Sequence, residues 1–144
     1  MHDFEVRLRS DPKLLQAVRG MVRAYVQSAG FDDDKTSEIV LAVDEACANS
    51  IRHAYDGDCQ NAVWLTLNQV DGWTRIEVRD EGNPAPRERI EKKMEDRSEE
   101  EQMVPGGLGV PLMRHVFDQV SITPGEQRGN VISLGLKNPE RKAS

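Results

Sequence analysis

Glu45 and Asn49 stand four residues apart in a stretch of helical periodicity, so their side chains project from one face. A carboxylate there can take a proton from an attacking hydroxyl or water, and an amide oxygen can ligate Mg²⁺. Asp44 points about 100° away from Glu45 along such a helix, which makes Glu45 the better member of a cooperating pair. The same spacing also occurs on solvated helix faces. Asp80-Glu81-Gly82 closes a strand-like run. A carboxylate at a strand end can receive an exocyclic amine while the glycine lets a flat ring pass close to the backbone. An ordinary turn has the same composition. Gly106-Gly107-Leu108-Gly109 precedes a short amphipathic segment. Glycines let backbone N–H groups approach a phosphate, and a helix start adds favourable potential. The run lacks the Gly-Lys-Ser/Thr of a Walker A loop and the strand context of a dinucleotide fold. A flexible hinge is the plain alternative.

These residues need elements to hold them. Phe4, Val6 and Leu8 alternate with Glu5, Arg7 and Arg9, the pattern of a half-buried strand. Ser10-Asp11-Pro12 offers a cap and a first-turn proline, and apolar residues from Leu14 to Ala29 follow at helical spacing as far as Gly30. Asp32 to Asp34 places negative charge at the start of a second helix. Its stripe runs through Ile39, Val40, Val43, Cys47, Ser50, Ile51 and Ala54. Glu38, Leu41, Ala42, Glu45, Asn49 and Arg52 lie on the other side, and Leu41 and Ala42 there point to a pocket wall. Strands are expected over 62–68 and 73–79, joined at Asp71-Gly72, a hairpin signal. From Arg87 to Glu101, seven acidic and five basic residues exclude a core element. A short helix after Gly109 and two closing strands, 120–123 and 130–136, complete the order β-α-α-β-β-lid-α-β-β. Clustered strands flanked by helices imply an α+β, two-layer sandwich.

Composition narrows the function classes. The 144 residues allow a single domain over 1–144 with its own core. The net charge of −6, with no dense basic stripe, argues against direct nucleic-acid binding. The longest apolar run, Ile39 to Val43, is far short of a membrane span, and MHDFEVRLRS is not patterned as a secretory signal. Cys47 and Cys59 fit neither a disulfide framework nor a zinc site and read as reduced thiols, giving a cytoplasmic expectation.

Taken in order, the Glu45…Asn49 helix, the Asp80-x-Gly82 strand end, the charged segment and the Gly106-Gly107-x-Gly109 helix start resemble the N, G1 and G2 boxes of the histidine-kinase-like (GHKL) ATPases. Within that superfamily, DEACANSIRHAY, DEGNPAP and GGLGVPLMRHVFDQV are most similar to anti-sigma-factor serine kinases of the RsbW type. The resemblance covers nearly the whole chain. It implies a Bergerat-type ATP-binding fold, a mixed sheet covered by helices on one face, with residues 87–107 as an ATP lid. It implies ATP and Mg²⁺ as cofactors. Glu45 would match the activating carboxylate, Asn49 the Mg²⁺ ligand, Asp80 the acceptor of the adenine amine and Gly82 the residue giving the ring room. Gly106, Gly107 and Gly109 would face the phosphates, and Ser133 would match a threonine near adenine. Pro84 departs from a frequent second glycine, and Arg52, Arg97 and Arg114 stand unranked as cations for the terminal phosphate.

The function so implied is a serine/threonine protein kinase that phosphorylates a small anti-sigma-factor antagonist and sequesters a sigma factor. No nucleic acid or membrane is contacted, and a homodimer is left open. One alternative is a nucleotide-dependent partner-switching module without kinase activity. Another is a stand-alone histidine kinase catalytic domain, ranked lower because no dimerising helix pair with a phosphoacceptor histidine is visible in the sequence.

Overall fold

The computed structural model describes residues 1–54, 59–82, 109–125 and 128–140. Strand β1 (Phe4–Arg9) leads through a 3₁₀ turn (Pro12–Leu14) into helices α1 (Leu15–Ser28) and α2 (Asp33–Asn49), the second continued by a π-turn (Ser50–Ala54). Strands β2 (Ala62–Val70) and β3 (Trp73–Asp80), helix α3 (Gly109–Val116), and strands β4 (Gln119–Pro124) and β5 (Asn130–Lys137) follow. The strands form one sheet in the order β1-β2-β3-β5-β4.

Local chemistry sets the boundaries. Asp11 accepts a hydrogen bond from the Lys13 backbone N–H and caps the 3₁₀ turn, with Pro12 at its first position. Gly30, at φ +100°, turns the chain out of α1. Asp32 accepts from the Lys35 N–H at 2.8 Å and opens α2. Asp71 (φ 50°) and Gly72 (φ 81°) are both left-handed, the two-residue hairpin geometry that matches strand twist.

Alternation then decides what is buried. Leu8, Val63, Leu65, Leu67, Ile76, Val78, Ile132, Leu134 and Leu136 face the helices and pack on Val22, Val26, Ile39, Val43 and Met113. Each fully buried side chain of this size contributes about 1.5–3 kcal/mol of transfer free energy. The opposite parity is open: Trp64 lies between the guanidinium groups of Arg79 (4.1 Å) and Arg7 (5.7 Å) on the uncovered face.

Three expectations are corrected. The sheet is not mixed: every pairing among the described strands is antiparallel. Leu41 is 52% exposed and lines no cavity among the described residues, whereas Ala42 is fully buried and belongs to the core stripe. Helix α2 also does not run regularly to residue 54, because its last turn widens from Ser50. The 87–107 segment, with Gly106 and Gly107, lies outside the described residues. Among the described residues no helix is long and apolar enough to cross a membrane.

Candidate functional site

Helix α2 packs against α1 and α3, and the π-turn after it packs against β3. That turn brings the end of α2 to the end of β3. π-Turns widen the helix and recur at functional sites. Here the wider turn carries Ser50 inward and leaves Arg52 exposed.

Asp80 closes β3 and is 2% exposed. Its Oδ1 accepts from the Gly82 backbone N–H (3.1 Å), the Asn130 backbone N–H (3.2 Å) and the Asn130 side-chain amide (3.5 Å). Burial pushes the Asp80 carboxyl above the ordinary carboxylate range, and the Gly82 and Asn130 hydrogen bonds, with the dipole of the nearby Ser50 hydroxyl, pull it partly back. The Ser50 hydroxyl faces this carboxylate but stands outside hydrogen-bond geometry. It is the one fully buried side-chain polar atom without a partner among the described residues. The hydrogen bonds to Asp80 fall on Oδ1, and the Ser50 hydroxyl near the carboxylate is left without a partner.

Gly129 makes this approach sterically feasible. It sits at φ +83°, and a Cβ there would come within 2.0 Å of the Asp80 carbonyl oxygen. Only glycine lets the start of β5 lie so close to the end of β3.

Glu45 and Asn49 are half-buried on α2, and one guanidinium joins them. Arg52 Nη2 donates to Asn49 Oδ1 at 2.8 Å and lies 3.5 Å from Glu45 Oε2. Asp44 is turned elsewhere, paired with Arg19 at 2.9 Å, a contact that clips α1 to α2. At the other end of α2, Lys35 Nζ donates to the Val116 carbonyl at 3.0 Å. A lysine on the last carbonyls of α3 suits the negative end of that helix and fixes the element whose first residue is Gly109.

The structure thus sets Asn49, beside Ser50, and Glu45, one turn earlier, on the helix whose end meets Asp80 and Gly82. It does not bring Ser133 there. Ile132, Leu134 and Leu136 face the core, so Ser133 faces outward, where its hydroxyl donates to Glu77 at 3.2 Å. The β5 residue beside Asp80 is Asn130. Neither Asn130 nor Ser50 was among the sequence candidates. The inward parity of Ile132, Leu134 and Leu136, extended back two residues, is the one signal that could have put Asn130 on the inward face, though not beside Asp80. Of the three candidate cations, Arg52 is on the site, Arg114 is exposed on the last turn of α3, and Arg97 lies outside the described residues.

The residues fit a purine nucleotide with its metal. A buried carboxylate suits an exocyclic amine, and the adjacent unpartnered hydroxyl suits a further donor or acceptor on the ring. Among the described residues, no group of three or more His, Cys, Asp or Glu side chains forms a metal cage. Mg²⁺ needs none, since it is commonly held by one or two protein oxygens plus substrate phosphates and water.

The family described as "Histidine kinase-like ATPase domain" matches residues 8–136. The serine-protein kinase RsbW of Bacillus subtilis is 25% identical over 125 residues, spanning 83% of this chain and 76% of that protein. The anti-sigma F factor of Bacillus subtilis is 28% identical over 125 residues, spanning 87% and 85%. A crystal structure of the RsbU and RsbW domains of a Mycobacterium tuberculosis protein superposes with a TM-score of 0.67 at 19% identity, covering 98% of this chain but only 34% of the other. The histidine kinase domain of the Escherichia coli osmosensor EnvZ gives 0.50 at 16% identity, covering 100% and 94%. These last two likenesses are of fold.

Proposed function

The chain belongs to the histidine kinase-like ATPase domain family, and from that membership we propose that it is an ATP-dependent protein serine/threonine kinase acting in sigma-factor control. Its acceptor is a serine on a small anti-sigma-factor antagonist, and phosphorylation of that antagonist releases the kinase to sequester a sigma factor. The relatives named serine-protein kinase and anti-sigma F factor support this reading. On the same reading the 144 residues form one such domain, acting in the cytoplasm in transcription regulation.

The observation that carries it is the Asp80 carboxylate, buried, bonded through Oδ1 and flanked by the unpartnered Ser50 hydroxyl. Asp80 Oδ2 accepts the adenine amine, Gly82 leaves the ring room, and Asn130, in place of Ser133, holds the carboxylate in position. Asn49 Oδ1 is the protein ligand for Mg²⁺. Gly106, Gly107 and Gly109 face the phosphates. Glu45 takes the proton of the attacking serine hydroxyl. Mg²⁺, when bound, supplies charge neutralisation on the phosphates.

One observation favours a second reading, a partner-switching module that binds nucleotide without transferring phosphate. Glu45 is already engaged by Arg52, so the carboxylate oxygen that would meet the attacking hydroxyl is occupied by a guanidinium. Two measurements separate the readings. Calorimetry should detect Mg-ATP binding, and labelled ATP should phosphorylate serine on a small protein that co-purifies with the chain. Absence of ATP binding overturns both readings; binding without transfer leaves the second.

A further inference from the structure

Arg52 is one helical turn beyond Asn49 and two beyond Glu45, so all three share a face. A single atom, Nη2, reaches both oxygens: 2.8 Å to Asn49 Oδ1 and 3.5 Å to Glu45 Oε2. The two groups assigned to metal binding and to proton transfer are thus already bridged by a cation belonging to the chain. We propose that Arg52 is an exchangeable counter-cation, which must leave the Glu45–Asn49 pair before Mg²⁺ can take Asn49 Oδ1. Metal loading and the release of Glu45 as a proton acceptor are then a single event. This rests on the nucleotide-binding reading above and adds to it an order of events.

Three physical points support the exchange. Mg²⁺ demands near-octahedral oxygen ligation at about 2.0–2.1 Å. A guanidinium hydrogen-bonded to the same amide oxygen would sit within a few ångströms of the divalent ion, and like charges that close repel. The guanidinium can leave easily. The Arg52 side chain is 43% exposed and that of Glu45 26%, and ion pairs this open to water hold weakly. The widened turn at Ser50–Ala54 places Arg52 outside the regular α2 ladder, so its departure disturbs no core packing. The effect is a guard of modest strength. It keeps Glu45 occupied until metal and nucleotide arrive together, which would restrain unproductive hydrolysis.

The test is a Mg²⁺ titration of nucleotide binding, followed with a fluorescent ATP analogue at constant ionic strength, for the wild type, Arg52→Gln and Arg52→Lys. Arg52→Gln should lower the Mg²⁺ concentration for half-maximal binding by about three- to tenfold, in line with the weak hold of an exposed pair. Arg52→Lys, which keeps the charge but not the fork, should fall between. Analogue binding in chelator should not improve in either variant. An unchanged or raised Mg²⁺ midpoint in Arg52→Gln overturns the exchange, and a weaker analogue affinity both with and without Mg²⁺ assigns Arg52 to the phosphates instead. If the wild type shows no Mg²⁺-dependent binding, the nucleotide reading itself falls and the exchange with it. Thermal unfolding of both variants checks that the fold is kept.

Discussion

The two ends of the sheet treat buried polar groups in opposite ways. At the hairpin end, Gln69 donates to Thr74 Oγ (2.9 Å), Thr74 to Asn138 Oδ1 (2.6 Å) and Asn138 back to Gln69 Oε1 (2.6 Å), a closed ring. Beside it the Tyr25 hydroxyl donates to Asp3 at 2.7 Å. At the other end, Asp80 is bonded on one oxygen and Ser50 is left without a partner. A closed ring stabilises the fold and has nothing left to offer a ligand. An incomplete set costs stability and gains it back only when something else completes it. The difference supports the proposed placing of the nucleotide at the Asp80 end.

The largest expected effect is on chemistry at that end. Glu45→Gln keeps shape and hydrogen bonding but cannot take a proton, so phosphoryl transfer to the acceptor serine should fall by about 10²–10⁴. A loose transition state would place the loss at the low end. ATP affinity measured by calorimetry should barely move. Wild-type transfer in this variant would reduce Glu45 to a structural residue.

Asp80→Asn sharpens the contrast more directly. The amide oxygen can keep the Gly82 and Asn130 N–H bonds, and its NH₂ can face Ser50. The same NH₂ would meet the adenine amine donor to donor. ATP affinity should drop by about 1–3 kcal/mol, the cost of an unpaired buried group. Denaturant unfolding near pH 7 should show no loss of stability, because a buried charge has been removed. A clear loss of stability with unchanged ATP affinity would show that Asp80 serves the fold alone.

Thr74→Val should do the reverse. It preserves volume at a fully buried position and opens the ring, leaving Gln69 and Asn138 each short of a partner. Both of those are half-exposed and can turn to water, so the expected loss is about 1–2 kcal/mol of unfolding free energy. Mg-ATP affinity should be unchanged. A fall in ATP affinity would mean that the two ends are coupled through β3.

How much of this was legible in the sequence follows the range of each interaction. Caps at Asp11 and Asp32, the stop at Gly30 and the Asp71-Gly72 hairpin are local, and their residue types declare them. Glu45 with Asn49, and Asp80 with Gly82, are also short-range pairs. Asn130 is fifty residues from Asp80 and meets it only because β5 inserts between β3 and β4. Nothing local announces that register. Ser133 was attractive by type but fails by parity, since one residue's shift in a strand exchanges the two faces. Arg52 could be named as a cation but not ranked. Helical periodicity puts it on the face of Glu45 and Asn49, but which side chain its guanidinium meets is a matter of rotamer that spacing does not declare.

The smallest effect, and the one that reads both ends in one experiment, is the pH dependence of stability. Asp80 has a carboxyl raised by burial, so between the unfolded value of about 3.9 and the higher folded value the folded chain holds more protons than the unfolded chain. Stability should therefore fall as pH rises through that window, by no more than about 1.4 kcal/mol per pH unit for a single proton. ATP affinity should move the opposite way, rising as Asp80 ionises and can accept the amine. Tyr25, raised by burial and by its bond to Asp3, behaves alike in stability but at the alkaline side. Its folded form keeps a proton that the unfolded form gives up near pH 10, so its contribution is lost as pH rises beyond that value, with no matching change in nucleotide affinity. Denaturant midpoints and calorimetric ATP affinities across pH, for the wild type, Asp80→Asn and Tyr25→Phe, separate the two. Asp80→Asn should flatten the acidic limb of both curves, and Tyr25→Phe should flatten only the alkaline limb of stability. An acidic stability limb that survives Asp80→Asn, or wild-type ATP affinity that stays level across it, would detach the buried carboxylate from the binding site.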